Sequence, residues 1–171
     1  MMDRLPELID PVVFAERRTE LVGKLELGTF TRLAEFMTEA VGKVDVQLSF
    51  DKQGRDALID GSVQTELMLQ CQNCLEPVAV PLNVVIKLGI VTVLEQADRL
   101  PEGYEPLLAS GEKMSLREIV EDELLLALPA FPKHDFQCVD LTKHSSGLIE
   151  NSAAEDPSKP NNPFAVLAKF N

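Results

Sequence analysis

The seven residues Val44-Asp45-Val46-Gln47-Leu48-Ser49-Phe50 alternate apolar and polar side chains without interruption. This period of two is typical of a β-strand with one face in the core and the other in water. A polar turn at 51–56 follows, and two further alternating runs flank a short loop from Cys71 to Pro77. The middle of the chain therefore predicts consecutive antiparallel strands, the last two forming a long hairpin. The apolar positions of that hairpin are Ile59, Val63, Leu67, Leu69 and Cys71, then Val78, Val80, Leu82, Val84, Ile86, Leu88 and Ile90.

The N-terminal third predicts two helices and a strand. Asp10 followed by Pro11 is typical of a helix start, and the helix is expected to reach about Arg18. Alternating residues predict a strand over 21–27. Apolar residues spaced three and four apart then predict a second helix over 30–42.

A third helix is predicted over 116–128, because Ser115 and Glu118 form a capping-box signature ahead of an apolar run. The segment 100–106 before it contains two prolines and a glycine and is expected to be an extended loop. Together these elements predict an α+β fold with an antiparallel, twisted or barrel-like sheet and three helices.

The composition changes after Asp140 to Ser, Asn, Pro and small residues, which bury too little apolar surface to offset the entropy lost on ordering. We therefore expect one domain over 1–140 and a flexible tail over 141–171, ending in a short amphipathic motif at 162–170. That motif either packs back on the domain or binds another protein. The motif residues assigned to such a contact are Pro163, Phe164 and Leu167.

The chain has 171 residues, with 16 basic and 28 acidic side chains and a formal charge of −12. Non-specific nucleic-acid binding depends on Lys and Arg that displace counterions from phosphates, so this charge argues against general affinity for nucleic acid. The first residues contain no signal-peptide run, and no stretch approaches the roughly 20 apolar residues of a membrane span. We expect a cytoplasmic protein without a membrane partner.

All three cysteines belong to one pattern. Cys71 and Cys74 form a Cys-x-x-Cys pair, and Cys138 follows His134 by four residues. Four such ligands match tetrahedral Zn²⁺, with His144 as a less favoured fourth ligand, provided that the fold joins segments about 60 positions apart. Two other interpretations stay open. The cysteines are ordinary buried or turn residues, or the pair is a thiol redox site, which an expected hairpin tip without a helix N-terminus disfavours.

Motifs for enzymatic chemistry are scarce. The sequence has no Gly-rich phosphate loop, no Gly-x-Ser-x-Gly elbow and no His-Glu-x-x-His motif, so we expect neither catalysis nor a small-molecule substrate. The carboxylates of Glu118, Glu121 and Asp122 are the material for a Mg²⁺ site, but acids on one helix face are more often a solvated surface.

Two positions depart from the pattern of the third helix. At 100° per residue, Glu123 falls on the apolar side and Leu125 among the charged residues. Glu123 then either reaches the rim of the core or is a buried acceptor with a specific partner. Leu125 is either a scattered exposed residue or part of a contact surface.

Four segments of the chain occur, in order, in one known family. They are Cys71-Gln-Asn-Cys74-Leu-Glu-Pro, Leu100-Pro-Glu-Gly-Tyr-Glu-Pro106, Val120-Glu-Asp-Glu-Leu-Leu-Leu-Ala-Leu-Pro129 with His134 after it, and Asn162-Pro-Phe-Ala-Val-Leu167. With them the chain resembles, over nearly its whole length, the YceD family of large ribosomal RNA subunit accumulation proteins of bacteria and plastids. The resemblance implies a role in the synthesis, processing or stability of 23S rRNA, without a known enzymatic activity. Some relatives carry extra cysteines near positions 134 and 138 in a metal-binding pattern. This chain has only the Cys71/Cys74 pair and one cysteine downstream, Cys138.

Two mechanisms fit such a non-enzymatic ribosome biogenesis factor, and a metal-dependent RNA-processing enzyme is the alternative. In the first, a local basic surface binds precursor or mature 23S rRNA directly. In the second, the chain is an acidic adaptor or chaperone for a basic ribosomal protein or assembly factor, which the charge balance favours. The residues assigned to RNA are Arg17, Arg18, Lys24, Arg32 and Lys43. Those assigned to a protein partner are Glu121, Asp122, Glu123 and Leu125, with the three tail residues.

Overall fold

The computed structural model describes residues 5–109 and 113–139, and in these ranges a six-stranded sheet carries most of the fold. The neighbour order in this sheet is β2-β4-β5-β6-β7, with β3 paired to β5, while β1 and β8 form a separate pair. The strands are β1 (Leu8–Ile9), β2 (Glu20–Glu26), β3 (Met37–Glu39), β4 (Lys43–Gln53), β5 (Asp56–Gln70), β6 (Pro77–Val91), β7 (Glu105–Leu108) and β8 (Met114–Ser115).

The expected long hairpin is confirmed. β5 and β6 are antiparallel from Ala57 opposite Ile90 to Gln70 opposite Pro77. The alternation in β4 places one face in the core, where none of its four apolar residues is more than 3% exposed. The α+β class with a twisted, mostly antiparallel sheet is also confirmed, and among the described residues the sheet does not close into a barrel. β7 is the exception in direction, because it pairs with the end of β6 in parallel.

Two predicted helix starts are confirmed by their caps. The Asp10 side chain accepts from the Val13 N–H at 3.0 Å and opens α1 (Pro11–Glu16). The Ser115 hydroxyl accepts from the Glu118 N–H at 3.3 Å and opens α2 (Leu116–Leu126). Each helix ends about two residues before its predicted end. The 3₁₀ helices are Leu27–Thr29, Leu33–Phe36 and Leu94–Arg99.

The α-helix predicted over 30–42 is wrong. This segment forms only the 3₁₀ helix Leu33–Phe36 and then β3. The pairing of β4 with β5 stops at Gln64, and β3 pairs with the continuation of β5, with Met37 opposite Leu69. Because buried backbone groups need partners, this pairing outweighs the helical periodicity of the segment.

The core lies between one face of the sheet and α2, which packs against β6 and β8. The apolar stripe of α2 is at most 4% exposed and comprises Leu116, Ile119, Val120 and Leu124. None of the helices in the described ranges is both long and apolar enough to cross a membrane. The predicted tail over 141–171 and its motif at 162–170 lie outside the described residues, so the domain boundary at 140 stays a prediction.

Candidate metal centre

The tip of the β5–β6 hairpin folds back sharply on itself. Cys71 directly follows β5, its N–H donates to the Glu76 carbonyl at 2.9 Å, and its carbonyl accepts from the Leu75 N–H at 2.9 Å. Leu75 has a φ of 65°, in the left-handed region that side chains other than glycine rarely adopt. The Asn73 N–H donates to the Cys71 sulfur at 3.4 Å. These contacts hold the Cys-x-x-Cys loop in one tight turn.

The segment after α2 lies against this loop. The Gln72 N–H donates to the Pro132 carbonyl at 2.9 Å and thereby fixes the backbone of the two segments together. Two residues further along, His134 places its Nδ1 atom 3.5 Å from the Cys74 sulfur. A separation of 60 positions along the chain is thus closed by the fold.

The structure brings together the four residues that the sequence pattern selects. One ligand atom from each of Cys71, Cys74, His134 and Cys138 lies within 4.8 Å of the others. With metal–ligand bonds of about 2.0 to 2.3 Å, tetrahedral ligands of Zn²⁺ are separated by about 3.3 to 3.8 Å. The group therefore needs to contract by only about 1 Å to reach zinc geometry, and its donor set of three sulfurs and one imidazole is one that structural zinc sites use.

The imidazole of His134 is oriented as a metal ligand would be. Its Nε2 lies 3.2 Å from the Pro77 carbonyl oxygen, which can only accept, so Nε2 carries the proton in that hydrogen bond. In the neutral ring Nδ1 then keeps its lone pair, and Nδ1 is the atom that faces Cys74. Fixing the tautomer through the far nitrogen is the usual way in which proteins prepare a metal-binding histidine.

The environment of Cys71 favours the thiolate. Burial raises the pKa of the Cys71 thiol. Hydrogen bonds outweigh this effect and lower the pKa to about 5; they come from the backbone N–H groups of Cys74, Asn73 and His134 and from the Cys74 side chain. Thiolate is the form of cysteine that binds zinc. Cys71 is completely buried, whereas Cys74, His134 and Cys138 are partly exposed.

The acidic residues of α2 do not form a second metal site. Glu121 is 3% exposed, so its expected place on the solvent face of the helix is wrong. Its carboxylate accepts from the backbone N–H groups of Arg32 and Leu33 at 2.8 and 3.0 Å and from the Arg32 guanidinium at 3.1 Å. Asp122 accepts from the same guanidinium at 2.6 Å. This network joins α2 to the 3₁₀ helix Leu33–Phe36, and Arg32 supplies the positive charge beside both acids.

The two residues that depart from the helix pattern are both half-buried. The carboxylate of Glu123 accepts no hydrogen bond from the described residues, which favours the rim of the core over a specific buried partner. The buried acceptor of this helix is Glu121, because its carboxylate reaches the free N–H groups at the start of the 3₁₀ helix. Leu125 lines a groove beside the hairpin tip. The most exposed leucine of α2 is Leu126, at 76%.

The basic residues assigned to RNA are largely engaged with acids. Arg18 pairs with Asp51 at 3.2 Å, Lys24 with Asp45 at 2.6 Å, and Lys43 with Glu26 at 3.2 Å. Arg32 is held by Glu121 and Asp122. Within the described residues, Arg17 is the only member of the set that lies within no ion pair. The tail residues Pro163, Phe164 and Leu167 lie outside the described residues.

Sequence reasoning missed two supporting features of the metal centre. The Pro77 carbonyl that orients His134 is a backbone atom, and no side-chain pattern indicates it. The bond from Gln72 to Pro132 is also made by backbone groups.

Comparison with known proteins agrees with the resemblance. A family model described as "Large ribosomal RNA subunit accumulation protein YceD" matches residues 59–171, which include most of the hairpin, the four candidate metal ligands and α2. A Haemophilus influenzae protein named "Large ribosomal RNA subunit accumulation protein YceD" is 37% identical over 173 aligned positions, covering 98% of this chain and 96% of the relative. No solved structure matches the chain. On these two matches, the chain belongs to the YceD family.

Proposed function

We propose that this chain is a non-enzymatic, cytoplasmic ribosome biogenesis factor that supports the synthesis, processing or stability of 23S rRNA in the large ribosomal subunit. The observation that carries the proposal is the near full-length match to a relative named as a large ribosomal RNA subunit accumulation protein. Two groups of ionisable side chains also support it. Cys71, Cys74, His134 and Cys138 form a set of candidate metal ligands, and Glu121 and Asp122 are paired with Arg32.

We propose further that Cys71, Cys74, His134 and Cys138 hold one structural Zn²⁺. Structural zinc sites use four protein ligands, whereas catalytic sites keep a position open for water or substrate. Three sulfurs and one imidazole within 4.8 Å fill all four positions. Such an ion ties the hairpin tip to the segment after α2, and it leaves no open position for hydrolytic chemistry.

The alternative of a metal-dependent RNA-processing enzyme has little support at α2. A Mg²⁺ site needs carboxylates free to face the ion. Here the carboxylates of Glu121 and Asp122 both accept from Arg32, whose guanidinium carries the charge that the ion would supply. Incubating the purified protein with precursor rRNA and Mg²⁺ or Zn²⁺ tests this directly. We expect no cleavage, and cleavage that Asp122→Ala abolishes would establish the enzyme.

Contact with rRNA through a protein is favoured over direct contact. Counterion release requires Lys and Arg that are available to phosphates. Four of the five basic residues assigned to RNA are instead in ion pairs, within a chain of charge −12. An acidic chain is suited to a basic ribosomal protein or assembly factor, since complementary charge speeds association and rejects wrong partners.

The cellular role is tested by removing the gene and measuring 23S rRNA relative to 16S rRNA. We expect the ratio to fall and to recover when the wild-type chain is supplied from a plasmid. An unchanged ratio in cells that lack the chain would contradict the proposed function.

The zinc proposal is tested by measuring bound metal per chain after gentle purification. We expect about one equivalent for the wild type and less than about a tenth for Cys74→Ser, because loss of a ligand from a four-ligand site removes most of the affinity. His144→Ala is the matched control, since it removes the other histidine of the chain and none of the four ligands. Metal-free wild-type protein would end the proposal.

Direct and indirect rRNA contact are separated by a binding assay with a 23S rRNA fragment at about 150 mM salt, where weak non-specific attraction is screened. We expect no tight binding. Tight binding that the double change Arg17→Glu and Arg18→Glu removes would establish direct contact.

A further inference from the structure

An apolar groove of about 670 Å³ lies beside the hairpin tip, at the end of α2. Its large apolar lining residues are Phe36 of the 3₁₀ helix, Leu69 of β5, and Leu125 and Leu128. Gln72 and Pro132, which join the hairpin tip to the segment after α2, also line it. The volume is within the range of pockets that bind apolar groups on partner molecules.

One lining residue and two residues adjacent in sequence to the lining are large apolar side chains that remain in water. Phe36 is 57% exposed, and Phe131, which lies between two lining residues in the chain, is 73% exposed. Leu126, the neighbour of Leu125, is 76% exposed. Contiguous exposed apolar surface that includes aromatic side chains is characteristic of protein interaction sites.

The charge around the groove specifies what it attracts. Its charged lining residues are Glu35 and Arg32. The charge of Arg32 is already compensated by the carboxylates of Glu121 and Asp122, so these four side chains together carry a net negative charge. The surroundings therefore attract positive charge and repel a phosphate backbone.

We propose that this groove docks a segment of a basic protein, in which large apolar anchor residues are flanked by Lys and Arg. The anchors fill the space between Phe36, Leu125 and Leu128, and the flanking cations meet the acidic residues around it. The inference rests on the proposed function only for the identity of the partner as a protein of large-subunit assembly. Two of its lining residues, Gln72 and Pro132, are joined by the backbone hydrogen bond that also fixes the Cys-x-x-Cys loop to the segment after α2.

The occupant is identified by photo-crosslinking in living cells. The replacement Phe36→p-benzoylphenylalanine puts a photoreactive group at the groove, and Val22→p-benzoylphenylalanine puts it on exposed β2 as the control. The two positions are matched, at 57% and 59% exposure. We expect the Phe36 position alone to yield crosslinked peptides from a protein rich in Lys and Arg, attached within a segment that contains Leu, Ile, Phe or Met.

Other results overturn the proposal. These are crosslinks to RNA, to residues 140–171 of this chain, to a second copy or to an acidic protein, the same products from both positions, and no crosslink at all. As a quantitative check, Phe36→Asp combined with a photoreactive Leu126 position should lower the yield of the same product at least tenfold, while Val22→Asp should leave it unchanged. Both variants are first required to retain metal content and a cooperative unfolding transition.

The outcome is separable from that of the proposed function. If removing the gene lowers 23S rRNA, but the Phe36→Asp chain restores it fully and the groove position yields no basic protein, the groove inference fails and the function stands. If removal leaves 23S rRNA unchanged while the basic protein is captured, the function fails and the groove stands.

Discussion

The carboxylate of Glu121 links two elements that are far apart in the chain. It accepts the N–H groups of Arg32 and Leu33 and both Nε and Nη2 of the Arg32 guanidinium. The two amides belong to the start of the 3₁₀ helix, where no preceding turn can supply acceptors. One buried side chain thus acts as a helix cap and as an ion-pair partner.

Glu121→Ala should lower the free energy of unfolding by about 2 to 4 kcal/mol, because it leaves two backbone N–H groups without an acceptor and removes one of the two carboxylates that pair with the Arg32 guanidinium. Urea denaturation measures this. Glu102→Ala, an exposed glutamate in the turn after Pro101, serves as the control and should change stability by less than about 0.5 kcal/mol. Equal effects for the two variants would refute the capping role.

Gly61 allows β4 and β5 to approach each other closely. A Cβ atom at this position would collide with the Gln47 carbonyl oxygen and lie 2.9 Å from Leu48 Cα, both of which are backbone atoms that cannot turn away. Gly61→Ala should therefore destabilise the protein by about 2 kcal/mol or more. Gly28→Ala is the matched control, since its new Cβ would meet only the Ala40 carbonyl oxygen at 3.5 Å. A thermal unfolding shift as large for Gly28→Ala as for Gly61→Ala would contradict this reading.

Glu123 makes stability depend on pH. Burial, and then the charges of Glu105 and Asp122, raise the pKa of Glu123 above its ordinary value of 4.5. A carboxyl group with a raised pKa folds favourably in its protonated form, so its cost is absent below the unfolded pKa and complete above the folded one. Glu123→Gln should therefore stabilise the protein near neutral pH, by less than about 1 kcal/mol because water screens a half-buried group.

This gain should disappear at about pH 3.5, where the wild-type carboxyl group is protonated in both states. Urea denaturation at the two pH values measures the difference. A gain of the same size in acid would show that the effect comes from packing and not from charge.

At the scale of elements, the loop that leads into β7 is fastened to the sheet by Tyr104. Its hydroxyl donates to the Asp60 carboxylate at 2.8 Å, and the Lys87 ammonium lies 5.9 Å from its ring centroid. The hydrogen bond to Asp60, followed by burial, raises the pKa of Tyr104. Side chains of β5 and β6 therefore hold the loop in place where the parallel pairing with β7 begins.

Tyr104→Phe should cost about 1 to 3 kcal/mol, because a hydrogen bond to a charged acceptor is lost while the ring is kept. The local consequence should be faster hydrogen exchange at Leu107 and Leu108 in β7 than in the wild type. Exchange in the centre of β4 should change only with global stability. Unaltered protection of β7 would show that the strand does not depend on the tyrosine.

The elements that the sequence predicted correctly are those specified by local pattern. Alternation gave the strands of the hairpin, and side-chain caps at Asp10 and Ser115 gave two helix starts. The helix prediction for 30–42 was wrong because the C-terminal end of β5, which is distant in sequence, pairs with part of this segment as β3. Whether this end of β5 requires another partner depends on where its pairing with β4 stops, and local periodicity carries no information about that.

The metal centre was predictable as a set of residues but not as a geometry. Cys-x-x-Cys and the pair at 134 and 138 have ligand spacing, yet their convergence depends on backbone bonds such as that between Gln72 and Pro132. The position of Glu121 was missed for a related reason. A helix wheel sorts side chains by direction, and a carboxylate can point inward when a remote backbone supplies donors.

At the scale of the whole molecule, the proposed Zn²⁺ should stabilise the fold, and its removal should weaken it. A ligand that binds only the native state at 1,000 times its dissociation constant stabilises it by about 4 kcal/mol, which for a chain of this length is a shift in Tm on the order of 10 °C. Thermal scans with and without a zinc chelator measure the shift. The Cys71→Ser and Cys74→Ser double variant should melt at the lower temperature in both conditions. A chelator-sensitive double variant would point to a different metal site.

The candidate metal ligands are synthesised at different times. Cys74 and His134 are separated by 60 positions. Ribosomes add about 5 to 20 residues per second, so both thiols of the loop exist for about 3 to 12 s before the imidazole is made. Throughout that interval the nascent chain carries both thiols of the Cys-x-x-Cys pair without the imidazole, and the proposed four-ligand set is complete only when the last quarter of the chain has been made.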